Sequence, residues 1–372
     1  MTAQNDDFFE GKRPWSIIKD EVLSSYMPPY LAKVNRLGRP IILVDGFAGP
    51  GIFDDGSEGS PLIICKAAQE RAAGNYQAFF INKDRKYYDR LKGVLQRGGW
   101  QHQAIPILGD TTKILPLLPP KLSDQTVFLY LDPFGPTGSP FTLLEPFLTR
   151  SKEYSTEIVI MMHIPVAHRL SARRAIEEGK GSDPTIQKFH QTMSNIFGGD
   201  YWKSIMFSSG FTTQERETQL IDAYCKKLEK YLPYVGSCPV QEGKNERIKY
   251  FIVFASRHPD AMVLMNDIML SAYSKRMHKD AYAGTLFEGE DWKDSIPTKG
   301  LKEVVISQVK EYPGLTREDL WAKIIQRHFM LYRRADFIIT VQQLVDSGKL
   351  NCPTPRKTKR LNKKCVLFPS EN

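Results

Sequence analysis

Asp45 closes a short β-branched run, Pro40 to Val44, and the next six residues read Gly46-Phe47-Ala48-Gly49-Pro50-Gly51. Glycine is needed where backbone must approach a bulky ligand or take positive φ. Directly after a strand, such a loop would pass under the methionine and ribose of S-adenosylmethionine (SAM). Asp45, Gly46, Phe47, Ala48, Gly49 and Gly51 are therefore the candidate cofactor loop, with Asp45 accepting from the ligand's amino group. The alternative is a loop shaped by packing alone. A phosphate-gripping loop needs Gly-Lys-Ser/Thr after its glycines. Here Gly51 is followed by Ile52-Phe53, which excludes it. A dinucleotide fingerprint needs G-x-G-x-x-G and an acid roughly 20 residues on. The glycine spacing is the reverse of that, and the next strand ends in Asn82.

Three further strand ends carry polar residues. Asn82 stands where an acid would receive both ribose hydroxyls, and as a neutral amide it accepts fewer bonds. Asp84 is the substitute, or a simple helix cap. Asp110, after Gly109, would accept from the adenine amino group or else bind its own turn. Asp132-Pro133-Phe134-Gly135 is the candidate acceptor site. The Asp132 side chain and Pro133 carbonyl would accept from a target amine, holding its lone pair toward the methyl group. Phe134 would stack the base. Many such motifs have two prolines; this one has a single proline. His163 and His168 read as structural, and Arg169, Arg173 and Arg174 as phosphate contacts or a solvated face.

A second kind of chemistry lies near the C-terminus. Arg356, Lys357, Lys359, Arg360, Lys363 and Lys364 place six cations in nine residues, followed by apolar Val366-Leu367-Phe368. Projected as a hairpin, they would contact nucleic-acid phosphates and make binding salt-dependent. A flexible exposed loop or a basic tail is the alternative.

Short apolar runs alternate with helical patterns along most of the chain. Residues 77–81, 104–108, 126–131 and 157–164 follow the first strand. This predicts a parallel, doubly wound sheet. Residues 234–240 and 249–255 read as a terminal antiparallel hairpin. Residues 14–34 read as a short helical segment interrupted by Pro28-Pro29. The Met-rich face of residues 262–277 reads as core filler. Three helices and the basic hairpin at the end make a winged-helix candidate. The expected organisation is a Rossmann-like class I methyltransferase domain over 1–290, with a helical insertion at about 165–230, then a winged-helix domain over 296–372.

Composition agrees with a globular chain of 372 residues, 41% hydrophobic and 25% charged. The net charge of +9 implies an acidic partner. Residues 297–372 carry 15 Lys/Arg against 7 Asp/Glu, so most of the excess lies there. The five cysteines form no C-x-x-C pair, which argues against a metal site and for reduced thiols in the cytoplasm. The polar N-terminus and the lack of a roughly 20-residue apolar run argue against a signal peptide or membrane span.

The chain resembles the three-Cys-motif partner family (TcmP). The resembling stretches are Trp15-Ser16 with Lys19 and Tyr26, the Asp45 to Gly51 loop, and Gly59-Ser60-Pro61-Leu62. They continue through Gly109-Asp110, Leu131 to Gly135, Phe197-Gly198 with Trp202, and Tyr250 to Ser256. The resemblance implies a Rossmann methyltransferase-like fold and a bacterial or mobile-element setting. It also implies a partner with a three-cysteine motif, similar to a radical-SAM protein. Asp132 to Gly135 is similar to the segment of tRNA guanosine dimethyltransferases. The expected function is SAM-dependent methylation of an amine in nucleic acid. The alternatives are a non-catalytic adaptor with a degenerate methyltransferase fold, or a regulator acting through its winged helix.

Overall fold

The computed structural model describes residues 16–119, 122, 124–133, 139–241, 243, 246–283, 285, 291–353 and 360–370. It divides into two compact units, Met1–Arg257 and His258–Asn372.

The first unit is built on β1 (Ile41–Asp45), β2 (Tyr76–Asn82), β3 (Ala104–Leu108), β4 (Thr126–Leu131), β5 (Thr156–His163), β6 (Tyr234–Val240) and β7 (Tyr250–Ser256). They form one seven-stranded sheet in the order β3-β2-β1-β4-β5-β7-β6. β1 to β5 are parallel, and β7 runs antiparallel to both β5 and β6. The sheet is thus mostly parallel and Rossmann-like, with the antiparallel closing pair expected from the sequence. Every residue of β1, β4 and β7 is buried, as befits strands covered on both faces. β3 lies at the edge and alternates less cleanly, leaving Leu108 exposed.

The winding reverses at β1. From there β2 and β3 step one way, β4 and β5 the other. In open α/β sheets, ligands bind outside the carboxyl ends of the strands at such a switch point. Here Asp45 and Asp132 flank it, because β1 ends at Asp45 and β4 at Leu131.

Helices cover the sheet: α1 (Ser16–Val34), α2 (Ser60–Ala72), α3 (Arg85–Arg97) and α4 (Thr111–Ile114) precede β4, and α5 (Glu145–Leu148) comes after it. The predicted break at Pro28-Pro29 does not occur, and α1 runs unbroken over 19 residues. Proline removes a helix donor and disfavours this. Packing compensates: Tyr26, Met27, Tyr30 and Leu31 are buried, and the Tyr26 ring lies 6.1 Å from Phe128 and 5.6 Å from Phe254. The Tyr26 hydroxyl donates to Glu157, whose carboxyl burial pushes up to about 7. The helical stretch between β5 and β6 consists of α6 (Ile164–Ser171), α7 (Arg173–Glu177), α8 (Pro184–Phe197), α9 (Trp202–Met206) and α10 (Thr213–Glu229).

The second unit begins with α11 (Pro259–Tyr282). Buried Asn266 ties α11 to the C-terminal part of the chain: it accepts from Met330 N at 2.8 Å and donates to Tyr332 O at 3.3 Å. Then come α12 (Leu301–Glu311), β8 (Leu315–Thr316), α13 (Arg317–Arg327), α14 (Arg334–Asp346), β9 (Leu350–Asn351) and β10 (Val366–Pro369). The small sheet has the order β8-β10-β9 and is antiparallel. Trp321 stacks on Phe337 at 4.7 Å in its core. Thr316 caps α13 by accepting from Asp319 N at 3.1 Å. No described helix is long and apolar enough to cross a membrane.

Candidate functional site

At the end of β1, Asp45 is fully buried and both its oxygens are engaged. Phe47 N donates to Oδ1 at 3.1 Å and Ser60 Oγ to Oδ2 at 2.7 Å. Burial pushes the Asp45 carboxyl up to about 7, against the opposing pull of these two bonds. The loop is stitched to its surroundings: Gly46 N donates to Tyr130 O at 3.0 Å, Ala48 N to Ile81 O at 2.9 Å, and the Thr111 hydroxyl to Gly46 O. A Cβ on Gly46 would fall 2.5 Å from Leu131 Cδ2. Gly51 has φ +84°, and a Cβ there would meet Leu62 and Leu91 at 3.0 Å. Packing and backbone conformation thus account for these two glycines.

Asn82, at the end of β2, faces inward. Its Nδ2 donates to Ala48 O at 2.6 Å and lies 3.5 Å from Gly49 O, while Oδ1 accepts from Asp84 N at 2.9 Å. The amide therefore clamps the glycine loop to the β2–α3 turn. Asp84 caps α3, accepting from Lys86 N at 2.8 Å and Tyr87 N at 3.4 Å. After β3, Asp110 caps α4 through Thr112 N at 2.9 Å and pairs with Lys83 at 3.1 Å. The Thr112 bonds, then Lys83, hold its carboxyl down at about 2. Asp110 remains partly exposed at the sheet's carboxyl edge.

Asp132, after β4, is buried and forms an ion pair with Lys19 of α1 through Oδ2. Burial alone would lower the Lys19 pKa; the Asp132 carboxylate outweighs it, and the net direction is upward. The other oxygen, Oδ1, faces His163 Nε2 at 4.0 Å. His163 ends β5, and its ring lies 5.5 Å from that of Tyr250 on β7. Burial lowers the imidazole pKa; Asp132 opposes this and Lys19 adds to it. Tyr130 Oη, Ser139 Oγ and His163 Nε2 are buried without a hydrogen-bond partner among the described residues. Pro133 is buried beside Asp132. Phe134 and Gly135 lie outside the described residues.

The carboxyl edge therefore brings Asp110, Asn82, Asp45 and Asp132 together in strand order, as the sequence suggested. Lys19 and His163 complete the arrangement, and residue-type reasoning did not single them out as site residues. A signal for Lys19 was present. With Leu23, Tyr26 and Tyr30 it occupies one helical stripe, and those three partners are buried. A lysine on an apolar stripe needs a buried counter-charge.

In the second unit, Arg360, Lys363 and Lys364 are exposed. Their segment is anchored by Arg317 Nη1 donating to Leu361 O at 2.7 Å and Arg317 N to Cys365 O at 2.8 Å. Arg356, Lys357 and Lys359 lie outside the described residues. Arg173 and Arg174 pair with Glu177 and Glu178 on their own helical stretch, at 2.8 and 3.1 Å.

No protein-family model matches the sequence. No curated protein matches it. Similar solved structures include a methyltransferase from Geobacter sulfurreducens, 14% identical with a TM-score of 0.24 over 35% of this chain and 58% of that one. An O-methyltransferase from Bacillus cereus in complex with SAH is 10% identical, TM-score 0.32, over 67% and 93%. Spermidine synthase from Thermotoga maritima is 10% identical, TM-score 0.34, over 66% and 63%. Likeness this distant says nothing of activity; strand order and register define the fold.

Proposed function

We propose that this chain is a SAM-dependent methyltransferase acting on an amine of nucleic acid. The observation that carries the reading is Asp132 at the switch point, with Oδ2 held by Lys19 and Oδ1 turned toward His163. A carboxylate so fixed can accept an N–H of a target amine and hold its lone pair in line for attack. The Pro133 carbonyl is the second acceptor. SAM would supply an electrophilic methyl group.

The residues fit such a cofactor along most of its length. Asp110 to Asp132 spans three strand spacings, about 14 Å, room for an extended adenosyl and methionine body. Asp110, partly exposed and strongly acidic, suits the adenine end. The Asp45–Gly51 loop lies at the methionine end, where Asp45, already accepting from Phe47 N and Ser60 Oγ, would take the ligand's ammonium as a further donor. The ribose end is weaker, because Asn82 spends both ends of its amide on backbone. Asp84 is the remaining acceptor there. The α12–β10 module reads as a winged helix whose basic segment (Arg360, Lys363, Lys364, with Arg356, Lys357 and Lys359) holds phosphates. A three-Cys-motif, radical-SAM-like protein is the proposed partner.

The consumed Asn82 amide favours a second reading, a non-catalytic SAM- or nucleic-acid-binding adaptor. Incubation with methyl-labelled SAM and pooled DNA and RNA separates the two. Labelled nucleic acid supports the enzyme. SAM binding with no label transferred, with or without the partner, supports the adaptor.

A further inference from the structure

We propose that His163 Nε2 takes the proton released by a primary amine seated against Asp132 Oδ1. This rests on the methyltransferase reading above. Asp132 Oδ2 is already committed to Lys19. Oδ1 and Nε2 stand 4.0 Å apart, beyond hydrogen-bonding reach. Nε2 is nonetheless buried, with no partner among the described residues. Buried polar atoms without a partner are exceptional and call for an explanation.

A single nitrogen about 2.9 Å from both atoms closes the triangle, with an apex angle of roughly 90°. An –NH2 group has two N–H bonds to direct at Oδ1 and Nε2, so that in this arrangement Nε2 takes the place of the Pro133 carbonyl as second acceptor. A hydroxyl has one. The pair therefore favours a primary amine over an alcohol. In the transfer, the nitrogen lone pair forms the N–C bond as the S–C bond breaks, its electrons passing to sulfur. The nitrogen, now cationic, gives one proton to Nε2. The resulting imidazolium stands beside the Asp132 carboxylate. Before transfer the imidazole is neutral at pH 7, since its pKa lies below the ordinary value.

Among the described residues, the groups facing His163 are Asp132 just after β4, Lys19 from α1 and the Tyr250 ring from β7. Met193 of α8 and Ile221 of α10 line the narrow cleft beside it and bring no charge. Lys19 is thus a positioning residue, which fixes Asp132 and depresses the His163 titration.

The test uses the full chain. At saturating SAM, methyl transfer to pooled nucleic acid should fall as pH drops through the His163 titration. His163→Gln should lose about 100-fold in rate, and its acid limb, with calorimetric SAM affinity unchanged. A second readout is independent of activity. Ring-labelled histidine NMR resolves the seven histidines, and His163 is identified by its absence in His163→Gln. Its titration midpoint should rise in Lys19→Met. Should His163→Gln fail to fold by circular dichroism, His163→Asn takes its place. Unchanged rate and pH profile in the histidine variant, or a midpoint unmoved by Lys19→Met, overturns the proposal. Wild-type protein that transfers no methyl group overturns the methyltransferase reading and this inference with it. An active wild type with an indifferent histidine variant overturns the inference alone.

Discussion

Lys19 on the first helix and Asp132 at the end of the fourth strand form an ion pair across 113 residues of chain. The pair ties α1 to the switch point of the sheet. Both side chains are largely buried, at 15% and 12% exposure. Each charge therefore depends on the other for compensation.

Lys19→Met should lower stability by about 3 kcal/mol, because it strands the Asp132 carboxylate. Adding Asp132→Leu should recover most of that loss, since an apolar pair can replace a buried ionic one. Denaturant titration checks both. A double variant less stable than Lys19→Met would contradict this account of the pair.

On the proposed SAM reading, Asp45 should link cofactor binding to pH. Its folded pKa of about 7 lies above the ordinary 3.8, so the fold retains a proton there between those values. Stability from this group is present at low pH and declines as pH rises through that window. The SAM ammonium favours the ionised carboxylate, so binding should expel the proton and tighten as pH climbs through 7. Calorimetry in two buffers of different ionisation enthalpy measures the release. No buffer dependence in wild type, or one retained in Asp45→Asn, would count against it.

Asn82→Asp should not repair the ribose end. The substitution removes the donor to Ala48 O and sets carboxylate oxygen against carbonyl oxygen. The expected cost is about 1–3 kcal/mol of stability with no gain in SAM affinity. A variant as stable as wild type that binds SAM tighter would show that the loop clamp is dispensable.

The basic segment should contribute salt-dependent affinity. Replacing Arg360, Lys363 and Lys364 by alanine should flatten the slope of log K against log salt for duplex DNA by about two to three. An unaltered slope would remove these side chains from the interface.

Much of this site was legible because strand ends are marked in sequence. The runs ending at Asp45, Asn82, Leu108 and Leu131 are apolar and then abruptly polar, and the sheet does align them. Two features were hidden. Helix α1 survives its two prolines through aromatic packing against Phe128 and Phe254, which lie far away in the chain. Lys19 meets Asp132, and His163 faces it, only once β4 and β5 pair and α1 docks; local pattern has no access to that. The glycine loop was read for ligand approach or positive φ, with packing as the alternative; Gly51 does take φ +84°, and contacts with Leu131, Leu62 and Leu91 leave no room for a Cβ at Gly46 or Gly51. Asn82 shows the same limit, because its bonds to Ala48 and Asp84 depend on the loop folding back.

Isothermal calorimetry of the wild-type chain with SAM, compared with Asp132→Ala and Asp110→Ala, tests the central claim most directly. The account predicts one-to-one binding to wild type, near-equal binding to Asp132→Ala, and marked weakening in Asp110→Ala. No heat with wild type at millimolar SAM, or binding indifferent to Asp110, would contradict it.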